Sequence, residues 1–485
     1  MERFLWICLG GAVGTGARYL LSGWLAGFWG PGLPIGTLAV NVVGSFLLGV
    51  IMQVALTTAL ISPGLRLFLT TGVMGGFTTY STLNYETLRF FEENAWRLGA
   101  ATSYVPSRPE DEEMVIKSSA KPTIQRATAS YEAWLGEHVT LVPEDLAHKH
   151  DLLRSAPFPF LRGTYYRWAQ LWPRVCSHLK GAREVLAVGD LHVENFGTWR
   201  DAEGRLAWGI NDFDETWRLP YTHDLVRLAT SAHLAIASGG LAVHPKKGDA
   251  AILDGYRQGL EAGGRPFVLA EHWAELRRLA VDRLADPRRF WQKLDGLETM
   301  PAERVAPGAL KALAKVLPAG HAALRYAHRI AGVGSLGRQR FVALADWTGG
   351  RIAREAKAMA PSACVWASGA AGDTASRYSE VLAGAVRCPD PWLTARRRWI
   401  VRRLAPDCSR IELADLPREQ DAEHLLRAMG WETANVHLGS AGAQELLRDL
   451  ASRPPGWLHE SALQMLAVVQ ADWESWQGAA LPPPA

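Results

Sequence analysis

Val188-Gly189-Asp190-Leu191-His192-Val193-Glu194-Asn195-Phe196-Gly197, followed by Ile210-Asn211-Asp212-Phe213-Asp214-Glu215, decides how the larger part of this chain is read. It sets an aspartate, an asparagine five residues later, and a second aspartate closing an apolar run, Leu206-Ala207-Trp208-Gly209-Ile210. Phosphoryl-transfer sites use these side chains in this order. The first aspartate orients or deprotonates a substrate hydroxyl, while the asparagine and the later aspartate hold magnesium against nucleotide phosphates, because Mg²⁺ takes hard oxygen ligands. On that reading Asp190 is the catalytic base, His192 braces its loop, Asn195 and Asp212 are magnesium ligands, and Asp214 binds a second metal. The competing reading makes Gly-Asp and Asn-Asp ordinary turn and cap residues beside strands. A lone Gly-Asp-x-His would favour it; the two motifs paired at this spacing weigh against it.

Around this stretch the chain alternates strand-like runs with helical periodicity. Val185 to Val188, Leu206 to Ile210 and Phe341 to Trp347 have the character of buried strands, and Asp224 to Ile236 carries apolar residues at helical spacing. Asp224, in Tyr221-Thr222-His223-Asp224-Leu225, stands where small-molecule phosphotransferases keep an aspartate that supports the catalytic loop. Gly332-Val333-Gly334-Ser335-Leu336-Gly337 precedes the strand-like Phe341-Val342-Ala343-Leu344. As a nucleotide-covering loop it uses Gly332, Gly334 and Gly337, with Lys357 as the phosphate-pairing lysine of a later strand and Arg354 as its competitor. Alone, such a glycine pattern is equally an ordinary turn. The loop follows the catalytic motif instead of preceding it, so the order is permuted relative to ordinary kinases. Arg162 is a candidate phosphate contact, and His437 reads as a core or cap histidine.

Toward the N-terminus the composition changes. The 485 residues carry a net charge of +3, too small to argue for nucleic acid as a partner, but the charges are unevenly spread. Residues 1–91 contain neither lysine nor aspartate, and three apolar stretches, Leu5 to Phe28, Pro34 to Leu60 and Leu67 to Phe91, each approach or exceed the roughly 20 residues a helix needs to cross a bilayer. Asn41 sits in the middle of the second, and Gly75-Gly76-Phe77-Thr78-Thr79-Tyr80-Ser81-Thr82 breaks the third. Polar side chains and freed carbonyls at that depth survive where they meet a neighbouring helix or line an ion path. Both readings stand on the residues alone. Residues 98–118, with Pro106, Pro109 and the run Glu110-Asp111-Glu112-Glu113, read as a linker. The cysteines Cys8, Cys176, Cys364, Cys388 and Cys408 fit isolated buried thiols, with no zinc-like spacing.

Two resemblances sharpen these expectations. Gly10-Gly11 with Gly14, Gly16, Arg18 and Tyr19, then Gly36-Thr37 to Gly44-Ser45, then Gly75 to Thr82 with Glu86, resembles the Fluc/CrcB fluoride channel family. That resemblance implies an antiparallel dual-topology dimer with fluoride pores and a structural sodium ion. Gly75 and Thr78 match the sodium-coordinating positions and Asn41 the pore asparagine. Tyr80 and Leu83 match the two aromatic pore positions, where Leu83 departs from the usual phenylalanine. Ser81, Thr82 and Arg18 complete the pore set. The family has four transmembrane helices; three are legible here. Residues 120 to 475, through Phe158 to Gly163, Asp190 to Gly197, Asn211 to Glu215, Gly332 to Gly337 and Ala434 to His437, resemble the bacterial domain-of-unknown-function 2252 family, related by motif to aminoglycoside-type phosphotransferases and protein kinases.

The expected architecture is therefore multidomain. An α-helical membrane module (1–97, three transmembrane helices with the third broken) is joined through a linker (98–118) to an α+β protein-kinase-like or aminoglycoside-phosphotransferase-like domain (119–480). The expected function is fluoride efflux across the bacterial inner membrane, sodium-stabilised, combined with ATP- and magnesium-dependent phosphoryl transfer from a cytoplasmic domain. The alternative is a kinase-like enzyme or pseudokinase tethered by a non-conducting remnant. Expected partners are fluoride, membrane lipid, and a second subunit in a dimer, either another copy or a separate four-helix channel subunit.

Overall fold

The structure, a computed structural model, describes residues 123–269, 271, 273–281, 286–369, 375–408 and 419–478, with isolated positions 13, 15–17, 20 and 73. The chain divides into two compact units, residues 1–118 and 119–485. Arg18, Asn41, Gly75, Thr78, Tyr80, Ser81, Thr82 and Leu83, on which the channel expectations rest, lie outside the described residues, as does the 98–118 segment. Among the described residues no helix is long and apolar enough to cross a membrane.

The second unit opens with four helices, α1 (Ile124–His138), α2 (Pro143–Ser155), α3 (Pro157–Gly163) and α4 (Tyr165–Val175). Proline begins α2 and α3, where its missing N–H would have had no helical partner. Four strands follow: β1 (Glu184–Ala187), β2 (Phe196–Arg200), β3 (Leu206–Ile210) and β4 (Trp217–Pro220). Next come α5 (Tyr221–Ala237), α6 (Pro245–Glu261), β5 (Phe267–Val268), α7 (Ala274–Val281) and α8 (Pro287–Asp295). The middle of the unit holds β6 (Thr299–Met300), α9 (Pro307–Ala314), β7 (Ala322–His328), β8 (Arg340–Trp347), β9 (Gly350–Ala358), α10 (Ala363–Ser368) and α11 (Tyr378–Gly384). It closes with β10 (Thr394–Arg396), β11 (Trp399–Leu404), α12 (Glu419–His437), α13 (Ala443–Ala451) and α14 (Trp457–Gly478). The strands form three sheets, β1-β4, β2-β3-β5 and β10-β11-β9-β8-β7-β6, and every pairing is antiparallel.

The strand expected over Val185 to Val188 ends one residue early, because the Val188 N–H is taken by the Asp224 carboxylate instead of a neighbouring strand. The run Leu206 to Ile210 is β3 itself, and Phe341 to Trp347 forms β8 with one residue added. The helix expected over Asp224 to Ile236 is α5, and it is buried nearly all round, with Arg227 among its fully buried side chains. A helix enclosed on all sides needs polar partners for its polar side chains. For Asp224, Arg227 and Ser231 those partners lie in the stretch Val188 to Val193.

Packing fixes the layers. In the six-stranded sheet alternate residues part to opposite faces. Phe341, Ala343, Ala356, Ala358, Trp399 and Val401 bury against Ala309, Ala312 and Leu313 of α9. The other face carries Val342, Leu344, Ala353 and Leu404 against Leu294 of α8, and beside them Arg340, Glu355, Lys357 and Arg402. Helices α6 and α12 approach at glycines: a Cβ on Gly430 would lie 2.0 Å from the Ile252 carbonyl oxygen, and one on Gly255 1.8 Å from that of Arg427. Any side chain there forces the backbones apart. Among the described cysteines Cys176, Cys364 and Cys388 are buried free thiols and Cys408 is partly buried.

Candidate active site

The loop between β1 and β2 carries Asp190, His192 and Asn195, and its shape is set by one buried carboxylate. Asp224 of α5 accepts the Val188 N–H at 2.6 Å and the Gly189 N–H at 3.0 Å. Behind it stands His437 of α12, whose Nε2 lies 3.1 Å from Asp224 and whose Nδ1 lies 2.9 Å from the Tyr256 hydroxyl. Burial would raise the Asp224 carboxyl, but its hydrogen bonds to His223 and His437 hold it well below the usual range. Gly189 has a φ of +82°, and a Cβ there would fall 2.4 Å from the Glu215 carbonyl oxygen. Glycine is required on both counts.

Asp190 points from this loop at Arg227, whose Nε donates to Oδ1 at 3.0 Å. The Arg227 guanidinium lies 4.9 Å from the centroids of both Tyr165 and Trp168 and donates to the Leu161 carbonyl. Its position is thereby fixed, and so is the carboxylate. Burial raises the Asp190 carboxyl above its ordinary value despite the arginine. His192 accepts the Glu194 N–H at its Nδ1 (3.2 Å), and its backbone carbonyl accepts the Asn195 N–H (2.8 Å).

Asn195 joins the two halves of the motif. Its Nδ2 donates to the Asp190 carbonyl at 3.2 Å and to the Asp212 carbonyl at 3.1 Å. Two carbonyl acceptors on one side assign that atom as nitrogen and turn Oδ1 the other way. Asn195 Oδ1 and Asp214 Oδ1 are both buried without a hydrogen-bond partner. Asp212 is 43% exposed, Asp214 only 8%. Lys357 Nζ reaches both, at 3.2 Å from Asp212 Oδ1 and 2.5 Å from Asp214 Oδ2. Burial and the neighbouring Asp212 charge push the Asp214 carboxyl up to about 6, whereas for Asp212 burial is opposed by the Lys357 ammonium, a hydrogen bond from Asp214 and the charges of Arg402 and Arg340, which together pull it down.

The glycine loop closes the site from the other side. Gly332 (φ +75°) and Gly334 line the same cavity as Asp190, Asn195, Asp212 and Asp214, and a Cβ on Gly334 would lie 3.3 Å from Asp190 Oδ2. Gly337 is turned away: its Cβ would collide with Leu146 of α2 at 2.3 Å, so this glycine serves helix packing. Of the two basic candidates, Lys357 reaches the carboxylates. Arg354 lies on the opposite face of β9, against the Trp392 ring. Arg162 pairs with Glu194 at the cavity wall.

The cavity encloses about 820 Å³ and is lined by ten lysine and arginine side chains against seven carboxylates. Such a surplus of cations around an acidic cluster suits a ligand that brings its own negative charge together with a divalent ion. The three oxygen-bearing side chains Asn195, Asp212 and Asp214, two of them with an unpartnered buried oxygen, fit magnesium as a donor set.

The family of CrcB-like protein, Camphor Resistance (CrcB), matches residues 5–107, and the family described as uncharacterized protein conserved in bacteria (DUF2252) matches residues 141–288 and 309–479, more than half of the chain. A relative named "Fluoride-specific ion channel FluC" from Sorangium cellulosum (strain So ce56) is 61% identical over 101 residues, which are 21% of this chain and 80% of the relative. The chain belongs to both families. Proteins of the same name from Anaeromyxobacter sp. (strain K) and Geotalea uraniireducens (strain Rf4) are 57% identical over 105 residues and 48% over 101, each covered to 82% of its length. No solved structure matches the chain.

Within the DUF2252 body, several site residues carry no sequence signal of their own. Lys149 of α2 points its Nζ at the Gly334 carbonyl (3.4 Å), and burial lowers it to about 8. Arg338 pairs with Asp214 and Glu215. Glu432 of α12 lies under β3, accepting the Ile210 N–H at 3.2 Å and the Asn435 amide at 2.8 Å, and burial pushes it up to about 7. A Cβ on Gly209 would meet that carboxylate at 2.2 Å, so the glycine in the middle of β3 makes room for it.

Proposed function

We propose that the DUF2252 body is an ATP- and magnesium-dependent phosphotransferase with a kinase-like site, carried on a FluC-type membrane module. The observation that carries this reading is the Asn195 bridge: one side-chain amide ties the Asp190 and Asp212 segments together, and its Oδ1, like Asp214 Oδ1, is buried without a hydrogen-bond partner. Order along the sheet supports it. The glycine loop joins β7 to β8, and β9, next in the chain, carries Lys357, the succession in which kinases place a phosphate-covering loop and its lysine. The β2-β3 hairpin likewise separates the Asp190 loop from Asp212.

In this reading Asn195, Asp212 and Asp214 would hold magnesium, which supplies charge neutralisation of the transferred phosphate. Asp190, held by Arg227 and raised by burial, accepts the proton of the acceptor hydroxyl. Gly334 lets the loop backbone approach the reacting group, and Lys149 and Arg338 add positive charge beneath it. The test is nucleotide binding with and without magnesium. Asp212→Ala is expected to abolish the magnesium-dependent part of ATP affinity, measured by calorimetry. Equal binding by wild type and variant would leave the site without its metal.

The N-terminal module supports a second activity. The CrcB match and the relatives' identities favour a fluoride channel subunit in the membrane; to this the reading adds a sodium-stabilised dimer in the bacterial inner membrane, with the DUF2252 body on the cytoplasmic side where ATP is found. About a fifth of each relative has no aligned counterpart here, which supports a pore completed by a separate four-helix subunit. Fluoride efflux from proteoliposomes is expected for the chain reconstituted with such a subunit, and Asn41→Asp is expected to reduce it. No flux with or without the subunit would reduce the module to a tether.

A further inference from the structure

Away from the cavity, three helices bring together a side-chain set that the magnesium site does not use. His233 of α5, Asp249 of α6 and His459 at the start of α14 converge with their donor atoms all within 4.8 Å of one another. His233 Nε2 lies 3.0 and 2.9 Å from the two Asp249 oxygens, and His459 Nδ1 lies 2.6 Å from Oδ2. The side chains of His233 and Asp249 are 3% and 4% exposed, while that of His459 is 25% exposed. The cluster is therefore closed on the protein side and open to solvent at one corner.

We infer that His233, Asp249 and His459 form a zinc site that pins α14 onto α5 and α6. Two imidazoles and one carboxylate are the ligand types of three-residue zinc sites, and the open corner at His459 leaves the fourth position to water. Donors around a tetrahedral zinc at about 2.0–2.1 Å lie about 3.3 Å apart. The contacts to Asp249, at 2.6, 2.9 and 3.0 Å, are shorter than that and the 4.8 Å bound on the set is longer, so loading moves the donors apart around the ion. Asp249 serves the two histidines as an ordinary hydrogen-bond acceptor when no metal is bound, which keeps the unloaded cluster stable. The site bears on the chemistry through α5, which also carries Asp224, Arg227 and Ser231, the last accepting the Val193 N–H of the Asp190 loop at 3.1 Å.

The ligands stand 16 and 210 residues apart in sequence, so no spacing motif announces them. The experiment is metal analysis of the full-length chain purified in detergent, stripped with chelator and re-equilibrated with zinc in excess magnesium. The expected result is about one tightly held zinc per chain, replaced by cobalt(II) with the visible absorption of a tetrahedral nitrogen–oxygen site, and a thermal midpoint raised by zinc. His459→Gln, the most exposed of the three, is expected to weaken zinc at least about 100-fold while leaving the fold intact. A wild-type chain that retains no zinc overturns the proposal, as does equal retention by His459→Gln and Asp249→Asn. Either result identifies the cluster as a hydrogen-bonded brace only. Neither touches the magnesium reading, which is measured at Asp212.

Discussion

Asp190→Asn is expected to leave magnesium-dependent ATP binding intact and to lower phosphoryl transfer by about 10³-fold or more, in the range attributed to a positioned general base. The separation follows from geometry. Asp190 touches Arg227 and faces Gly334, whereas the proposed metal ligands Asn195, Asp212 and Asp214 make their own contacts. Asparagine keeps an oxygen for Arg227, so the loop should hold its shape. The measurement is loss of the γ-phosphate from labelled ATP, into water or any acceptor, at saturating nucleotide. Unchanged turnover would remove Asp190 from the chemistry and favour a nucleotide-binding scaffold.

Glu355→Ala is expected to destabilise the DUF2252 body by about 3–5 kcal/mol, the cost of stripping the partner from buried charges. Glu355 is fully buried on β9 and accepts from Arg340 (2.9 Å) on β8, from Arg402 (2.8 Å) on β11, and from Arg329. Burial alone would raise its carboxyl; the three guanidiniums hold it far below the usual range. Its removal would strip the buried Arg340 of the carboxylate it hydrogen-bonds. Arg340 also donates to Ser335 Oγ at 2.6 Å, so the glycine loop loses its anchor in the same step. Urea denaturation followed by tryptophan fluorescence checks the value. A loss below about 1 kcal/mol, the size of an exposed pair, would mean that the cluster is solvated.

That Asp190, Asn195, Asp212 and Asp214 line one cavity is legible in the sequence, and the reason is local. Asp190, Asn195, Asp212 and Asp214 fall within one loop–hairpin–turn unit, so their order along the chain is also their order in space. Composition leaves Lys357 and Arg354 as alternatives, and strand parity decides which of them reaches Asp212 and Asp214. Lys357 shares a face with Glu355, and Arg354 shares one with Ala356 and Ala358, which bury against α9. That inference requires knowing that β9 is a strand, and in Gly350–Ala358 the polar and apolar residues alternate only over Glu355-Ala356-Lys357-Ala358, too short a run to fix the element. Gly337 was grouped with the other loop glycines, since nothing in the sequence distinguishes a glycine that admits Leu146 from one that admits a ligand. Arg227, Glu432 and the His233 cluster were invisible for a different reason. Each is a polar helix residue with a partner from a distant segment, so no local spacing marks it.

That long-range dependence has a consequence for biosynthesis. The Asp190 loop is held by Asp224, Asp224 by His437, and the strand leading to Asp212 rests on Glu432. A nascent chain that has emerged only as far as β11 holds every residue of the proposed chemistry yet lacks the helix that sets them. The site's arrangement should therefore arrive late and all at once, when α12 clears the ribosome and docks, and premature termination before that point should release a product in which the Asp190 loop is unsupported.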